Sequence, residues 1–175
     1  MARAGDIVKV MPMSQAEVLS THEFMIFAEE FQFYIQDEKS EADLSEGWDD
    51  EARANLLAVG TGILSVGCVR DMDVPVIFEV HAARPDDDFS DFDQVVEASI
   101  DIPSGRVVVS GPGEDFYSAT RIDVSPGTYG VLVHWGMLDE VDEEGFEGDD
   151  FYKVVLWADA LRPVKVLKRW TMPVS

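Results

Sequence analysis

The strongest constraint on this chain is a two-residue beat of apolar and polar side chains, repeated in short segments. Within residues 95–102, Val96, Ala98, Ile100 and Ile102 fall on one side, and Glu97, Ser99 and Asp101 on the other. Successive side chains of an extended strand point to opposite faces. The pattern therefore predicts an antiparallel strand with one core face and one wet face. Phe31, Phe33 and Ile35 alternate with Gln32, Tyr34 and Gln36 in the same way. Residues 74–80 and 129–135 are apolar on nearly both faces and read as central strands of a sandwich. Further strands are expected over 7–11, 62–69, 107–110, 118–124, 151–157 and 164–170.

Turn residues separate these segments. Pro103-Ser104-Gly105 joins two strands as a tight hairpin, and Gly111-Pro112-Gly113 closes the next. Ser125-Pro126-Gly127 fits a type II turn. One short helix is expected over 48–58, where Asp49, Asp50 and Glu51 suit a helix start and Ala52, Ala54, Leu56 and Leu57 are good helix formers. About nine short strands and one helix predict an all-β fold, an antiparallel β-sandwich. With 175 residues and no linker or internal repeat, one domain is expected over 1–175. Residues 1–20 would be an extension of it. Residues 161–175, which hold Arg162, Lys165, Lys168 and Arg169 and no acid, would form a basic strand or tail. That tail would either pack on an acidic face of its own domain or blunt a sheet edge.

Charge sets the class of partner. The chain has 35 acidic and 13 basic residues, a net charge of −22. Acids concentrate in three runs, at 37–51, 86–93 and 139–150, which together hold 21 of the 35. So negative a molecule repels nucleic acid and attracts cations and basic proteins. The first residues are polar and carry no signal-peptide pattern, and no segment is long and apolar enough for a membrane span. A cytoplasmic location without membrane association is expected. Cys68 is alone and lies in an apolar stretch, so a buried structural thiol is expected.

Motifs of catalysis are missing. There is neither a nucleophile elbow nor a phosphate-binding glycine loop. His22, His81 and His134 stand apart, without metal-ligand spacing. His134 reads as a structural histidine in a core strand, and His81 as a surface residue at a strand end. Glu140, Asp142, Glu144 and Gly145 imitate the start of a calcium loop, but its twelfth position is Phe151 where a glutamate is required. Paired carboxylates for glycosidase chemistry would have to stand out from loops full of other acids. No enzyme activity, cofactor or metal is implied.

Two readings of the acidic runs remain. Solvated loops that hold the protein in solution explain them, as halophilic adaptation would. Alternatively, closely spaced carboxylates imitate backbone phosphates and occupy the basic groove of a nucleic-acid enzyme. Phe89 and Phe92 inside the second run, and Phe146 and Phe151 in or beside the third, would then anchor the contact or tuck back onto the sandwich.

The block 93–107 (DQVVEASIDIPSGRV) resembles a segment of small bacterial β-sandwich proteins, as do Val124-Ser125-Pro126-Gly127-Thr128-Tyr129, Leu138-Asp139, and the stretch from Phe151-Tyr152 to Leu156-Trp157. Phe31-Gln32-Phe33-Tyr34-Ile35-Gln36-Asp37, Trp48-Asp49-Asp50-Glu51-Ala52 and Gly62-Ile63-Leu64-Ser65 resemble the bacterial competence protein J group. The resemblance covers roughly residues 31–157. It implies a β-sandwich, and it implies inhibition of a competence-associated DNA nuclease. It carries over no inhibitory residue.

Together these readings lead to a non-enzymatic acidic protein that inhibits or neutralises a basic partner, a nuclease or toxin, by occupying its substrate groove. Asp86, Asp87, Asp88, Asp91 and Asp93 would form one patch, with Phe89 and Phe92 as anchors. Asp139, Glu140, Asp142, Glu143, Glu144, Glu147, Asp149 and Asp150 would form a second. The rival readings are a β-sandwich that binds a metal or small ligand, and a protein whose acidity only maintains solubility.

Overall fold

A computed structural model describes residues 17–86 and 88–171. Among the described residues, eleven strands follow one another. They are β1 (Val18–Phe27), β2 (Gln32–Asp37), β3 (Leu57–Gly60), β4 (Ile63–Gly67), β5 (Asp73–His81) and β6 (Gln94–Ile102), then β7 (Arg106–Ser110), β8 (Thr120–Asp123), β9 (Gly127–Gly136), β10 (Phe151–Ala158) and β11 (Lys165–Lys168). One α-helix, α1 (Asp50–Asn55), precedes β3. The strands form a six-stranded sheet in the order β1-β5-β10-β9-β6-β11 and a five-stranded sheet in the order β3-β4-β2-β7-β8. All pairings are antiparallel except that of β10 with β5. The all-β sandwich expected from the alternation is the fold observed.

The main core lies between the sheets. Phe33 and Ile35 of β2, Val76 and Phe78 of β5, Val96, Ala98, Ile100 and Ile102 of β6, and Val131, Val133 and Trp135 of β9 are buried in it. The period-two reading of β6 thus put the right residues inside. Polar atoms of the core find partners across the gap. The Trp135 indole N–H donates to the Gly67 carbonyl at 2.8 Å, and the Phe33 and Tyr152 rings meet edge to face at 6.0 Å. Cys68 is a free thiol in this core, and burial raises its pKa well above the ordinary thiol range.

A second, smaller apolar cluster covers the outer face of the six-stranded sheet. Val95, Leu132, Val155 and Trp157 form it, and Phe89, Phe92 and Leu167 pack on it. This is why β9 is buried on both faces. Gly130 stands beside Trp157 because any Cβ there would come within 2.5 Å of the indole ring.

Several local expectations are corrected. Phe31 is half exposed, not in the core row of β2, because residues 29–31 form a 3-10 turn in which Glu30 and Phe31 both take left-handed backbone angles. The helix stops at Asn55, and Leu56 caps it with a φ of 58°. Leu57 and Ala58 therefore begin β3 and do not extend the helix. β1 was not expected. Its Met25 and Phe27 face water while Phe24 and Ile26 face inward, so its wet face is not marked by polar residues. Gly127 has a φ of 154°, far from the roughly +80° a type II turn needs, and leads straight into β9. His81 is buried between β1 and β10 instead of lying at the surface. The 164–170 segment does form a strand, shorter than expected, on the β6 edge with Lys165 and Lys168 at its ends. The 7–11 strand lies outside the described residues.

Candidate functional site

β5 and β6 run parallel, with β10 and β9 between them. The chain after His81 must therefore return along the sheet to reach the start of β6. It does so as a strap, residues 82–93, laid across the outer apolar cluster. The Arg84 guanidinium sits 5.9 Å from the Trp157 ring centroid and pairs with Glu97 at 2.7 Å. The Phe89 and Phe92 rings lie 6.0 and 4.6 Å from the His134 ring, and Phe92 lies 5.8 Å from Phe151. Both phenylalanines are only partly buried, but their packing is onto their own sheet. They pin the strap and are not the projecting anchors expected. The strap's acids point the other way, with Asp86, Asp88 and Asp91 exposed. Asp88 accepts from the Ser90 hydroxyl and N–H, which lower its pKa. Asp87 lies outside the described residues.

The third run forms the β9–β10 connection. Its two sides pair, since the Asp142 N–H donates to the Glu147 carbonyl and the Asp149 N–H to that of Glu140, each at 2.8 Å. Gly145 turns the tip with a φ of 74°, and the Phe146 N–H donates to the Asp142 carboxylate at 2.8 Å. Asp139, Glu140, Asp142, Glu143, Glu144, Glu147 and Asp149 are exposed along this hairpin.

The two acidic segments meet. Gln94 at the start of β6 is opposite Trp135 at the end of β9. Asp93 is half-buried at the junction, where its N–H donates to the Trp135 carbonyl at 2.8 Å and its carboxylate accepts the Leu138 N–H at 2.7 Å. The C-terminal segment closes the same end. Lys168 Nζ donates to the Phe89 carbonyl, Trp170 Nε1 to Asp139, and Arg169 to the Ala54 carbonyl and the Asn55 side chain. Gln94 links this segment to α1, donating to the Asn55 carbonyl at 2.6 Å and accepting from the Trp170 N–H at 3.1 Å. So one end of the six-stranded sheet carries both runs. The first run divides instead. Asp37 is buried near Pro103, accepting from the Ser104 N–H and hydroxyl, while Asp50 and Glu51 open α1.

Asp150 does not belong to the surface patch. It is fully buried, paired with Arg70 Nε at 2.6 Å and accepting the Tyr152 hydroxyl at 2.6 Å. Arg70 also donates to the Phe146 carbonyl at 3.4 Å, so one cation ties the hairpin's base and its tip to the sandwich. The Tyr152 hydroxyl accepts the Val69 N–H at 3.0 Å, and burial raises its pKa, holding it as a neutral donor. Among the described residues, none of the exposed acids named in the two loops is ion-paired. The sequence reading missed Arg70 and Met137, which is 44% exposed at this end; Phe146, which it named as an anchor or a pin, is 57% exposed. Met137 holds a left-handed φ of 54° at the strand exit, a signal that only backbone geometry carries.

His134 lies beneath the strap at 5% exposure, with a ring nitrogen 3.2 Å from the Lys153 carbonyl. Burial lowers its pKa to about 4, and the nearby Lys153 charge acts in the same direction. It is the neutral structural histidine expected from its strand. Among the described residues no cluster of three or more His, Cys, Asp or Glu is placed to hold a metal. No helix there is long and apolar enough to cross a membrane.

The sequence matches no protein-family model, and no curated protein is significantly similar to it. Solved structures are. The chain has the fold of ComJ. The crystal structure of ComJ from Bacillus subtilis, an inhibitor of the DNA-degrading activity of NucA, superposes with a TM-score of 0.59 over 83% of this chain and 99% of ComJ. Identity is 14%. A crocagin biosynthetic protein, gene J, matches with a TM-score of 0.55 at 16% identity, over 81% of this chain and 98% of that one. At these identities the likeness is one of fold.

Two outcomes follow for the site. Arg70→Met leaves Asp150 buried and unpaired, so we expect a loss of about 3–5 kcal/mol in urea unfolding. A variant as stable as wild type would contradict the clamp. For His134 the folded pKa lies below the unfolded one, so the unfolded chain takes up the proton first. Its contribution is complete above about pH 6.5 and is lost as pH falls toward 4, by on the order of 3 kcal/mol. The stability difference between wild type and His134→Gln should shrink by that amount over this window. A difference that is flat with pH would refute the assignment.

Proposed function

We propose that this protein is a non-enzymatic inhibitor of a basic, DNA-degrading partner, and that the acidic end of its six-stranded sheet is the surface that binds. The observation that carries the reading is the junction at Asp93, where the two acidic segments meet; among the described residues, their exposed carboxylates make no ion pair. A patch of one sign draws a cationic surface over long range and disfavours anionic competitors. Carboxylates on two adjacent loops stand in for the phosphates of a nucleic-acid strand. Phe146 and Met137, exposed among them, supply the apolar contact that charge alone lacks. The fold shared with ComJ supports the same reading, because ComJ inhibits a nuclease.

The role asks nothing catalytic of the chain. Inhibition is by occupancy, with one copy per partner, in a compartment where both are soluble. Capture on immobilised protein from a lysate of its source cell tests it. A DNA-degrading activity should be retained, should elute as salt rises toward half-molar, and should be suppressed by stoichiometric addition of the protein. Neutralising Asp86, Asp88 and Asp91, or Asp139, Glu140 and Asp142, to amides should slow association about tenfold or more. Neutralising Glu114, Asp115 and Asp123 should leave it unchanged. Capture indifferent to salt and to the loop amides, or a captured fraction without nuclease activity, would rule the proposal out.

A further inference from the structure

The five-stranded sheet carries a feature that inhibition does not use. Gln32, Tyr34 and Gln36 alternate along β2 and face outward, about 7 Å apart. The connection from β2 to α1 folds back over that face. Its Leu44 lies against Gly60, and its Trp48 reaches Gly67, both glycines leaving room for it. A cleft of about 480 Å³ remains between this connection and the β2 row, lined by Gln32, Tyr34, Gln36, Asp43 and Trp48. A second cleft of about 310 Å³ lies past Trp48, against Phe31 and Arg53.

The lining is built and left open. The Gln32 carbonyl oxygen accepts from both Trp48 Nε1 at 3.1 Å and the Ser65 hydroxyl at 2.8 Å, which fixes the amide and the indole. Among the described residues, the Gln32 amide nitrogen, the Tyr34 hydroxyl and the Gln36 amide have no protein partner. Burial raises the Tyr34 pKa, and the charges of Glu30 and Asp43 raise it further, so the hydroxyl stays a neutral donor. Of the four non-glycine residues with left-handed angles among the described residues, three, Glu30, Phe31 and Leu56, line the second cleft. Backbone of this kind gathers where a site is held in shape.

Chemistry narrows the occupant. An apolar ligand would bury three polar end groups without partners. An anion meets Glu30 and Asp43, while the one cation, Arg53, lies beyond Trp48. A peptide strand would need main-chain bonding, yet β2 is already paired on both sides, to β4 and β7. The two carboxylates would also suit a cation, but the Gln32 and Gln36 amides and the Tyr34 phenol offer donors, which match a ligand with many hydroxyls and no charge, bound beside aromatic rings. We propose that the cleft between β2 and the Trp48 segment binds a neutral oligosaccharide.

The full chain should be titrated by calorimetry with the hexaoses of α-linked glucose, β-linked glucose, N-acetylglucosamine and xylose. At least one should bind saturably. Tyr34→Phe and Gln36→Ala, with wild-type thermal melts, should each weaken it roughly threefold to tenfold. The loop amides that impair nuclease capture should leave sugar binding unchanged. Failure of every sugar to saturate, binding untouched by both β2 variants, or saturation of the same cleft by hexalysine instead would each overturn the proposal.

Discussion

Asp150 carries a carboxylate wholly out of water, and the rest of the acidic end depends on how that charge is satisfied. Arg70 and Tyr152 each reach it at 2.6 Å. A buried carboxylate without such partners would be neutralised or would unfold its surroundings. Because Arg70 also bonds the Phe146 carbonyl, the same pair orders a hairpin whose other acids repel one another. The protein thus uses one buried ion pair to hold many exposed charges in place. Breaking it would loosen the loop that carries those charges.

The strap obeys a similar logic from the apolar side. Its acids cannot condense a loop, so Phe89 and Phe92 do it by packing over His134 and the outer cluster. That cluster exists because β9 and β10 place Leu132, Val155 and Trp157 outward. A sheet face apolar enough to be covered, and a cover acidic enough to stay wet on top, together produce a strongly negative end. The two surfaces of the molecule then differ in kind. The six-stranded sheet is sealed by the strap, while the five-stranded sheet keeps an open polar row on β2.

Much of this architecture was legible in the residues. Alternation in 95–102 placed β6 and its inward side chains correctly, because one face of that strand meets the core and Glu97 and Asp101 do not. Clusters of aspartate and glutamate marked the loops. What stayed hidden depends on geometry that side-chain type does not encode. Asp150 and Asp149 are identical letters, and only the position of Arg70, eighty residues away, sends one inside. Leu56 ends a helix in a backbone state that glycine usually takes, so the start of β3 gave no warning. Phe89 and Phe92 were readable as anchors or as pins, and the choice rests on what β9 offers them.

Hydrogen exchange on the full chain, free and saturated with the DNA-degrading partner proposed for it, tests the account most directly. The account predicts added protection at the 86–93 strap and the 137–149 hairpin, with residues 106–123 unchanged. Protection centred on β7 and β8, or on the β2 cleft, with the acidic end exchanging as in the free protein, would contradict it.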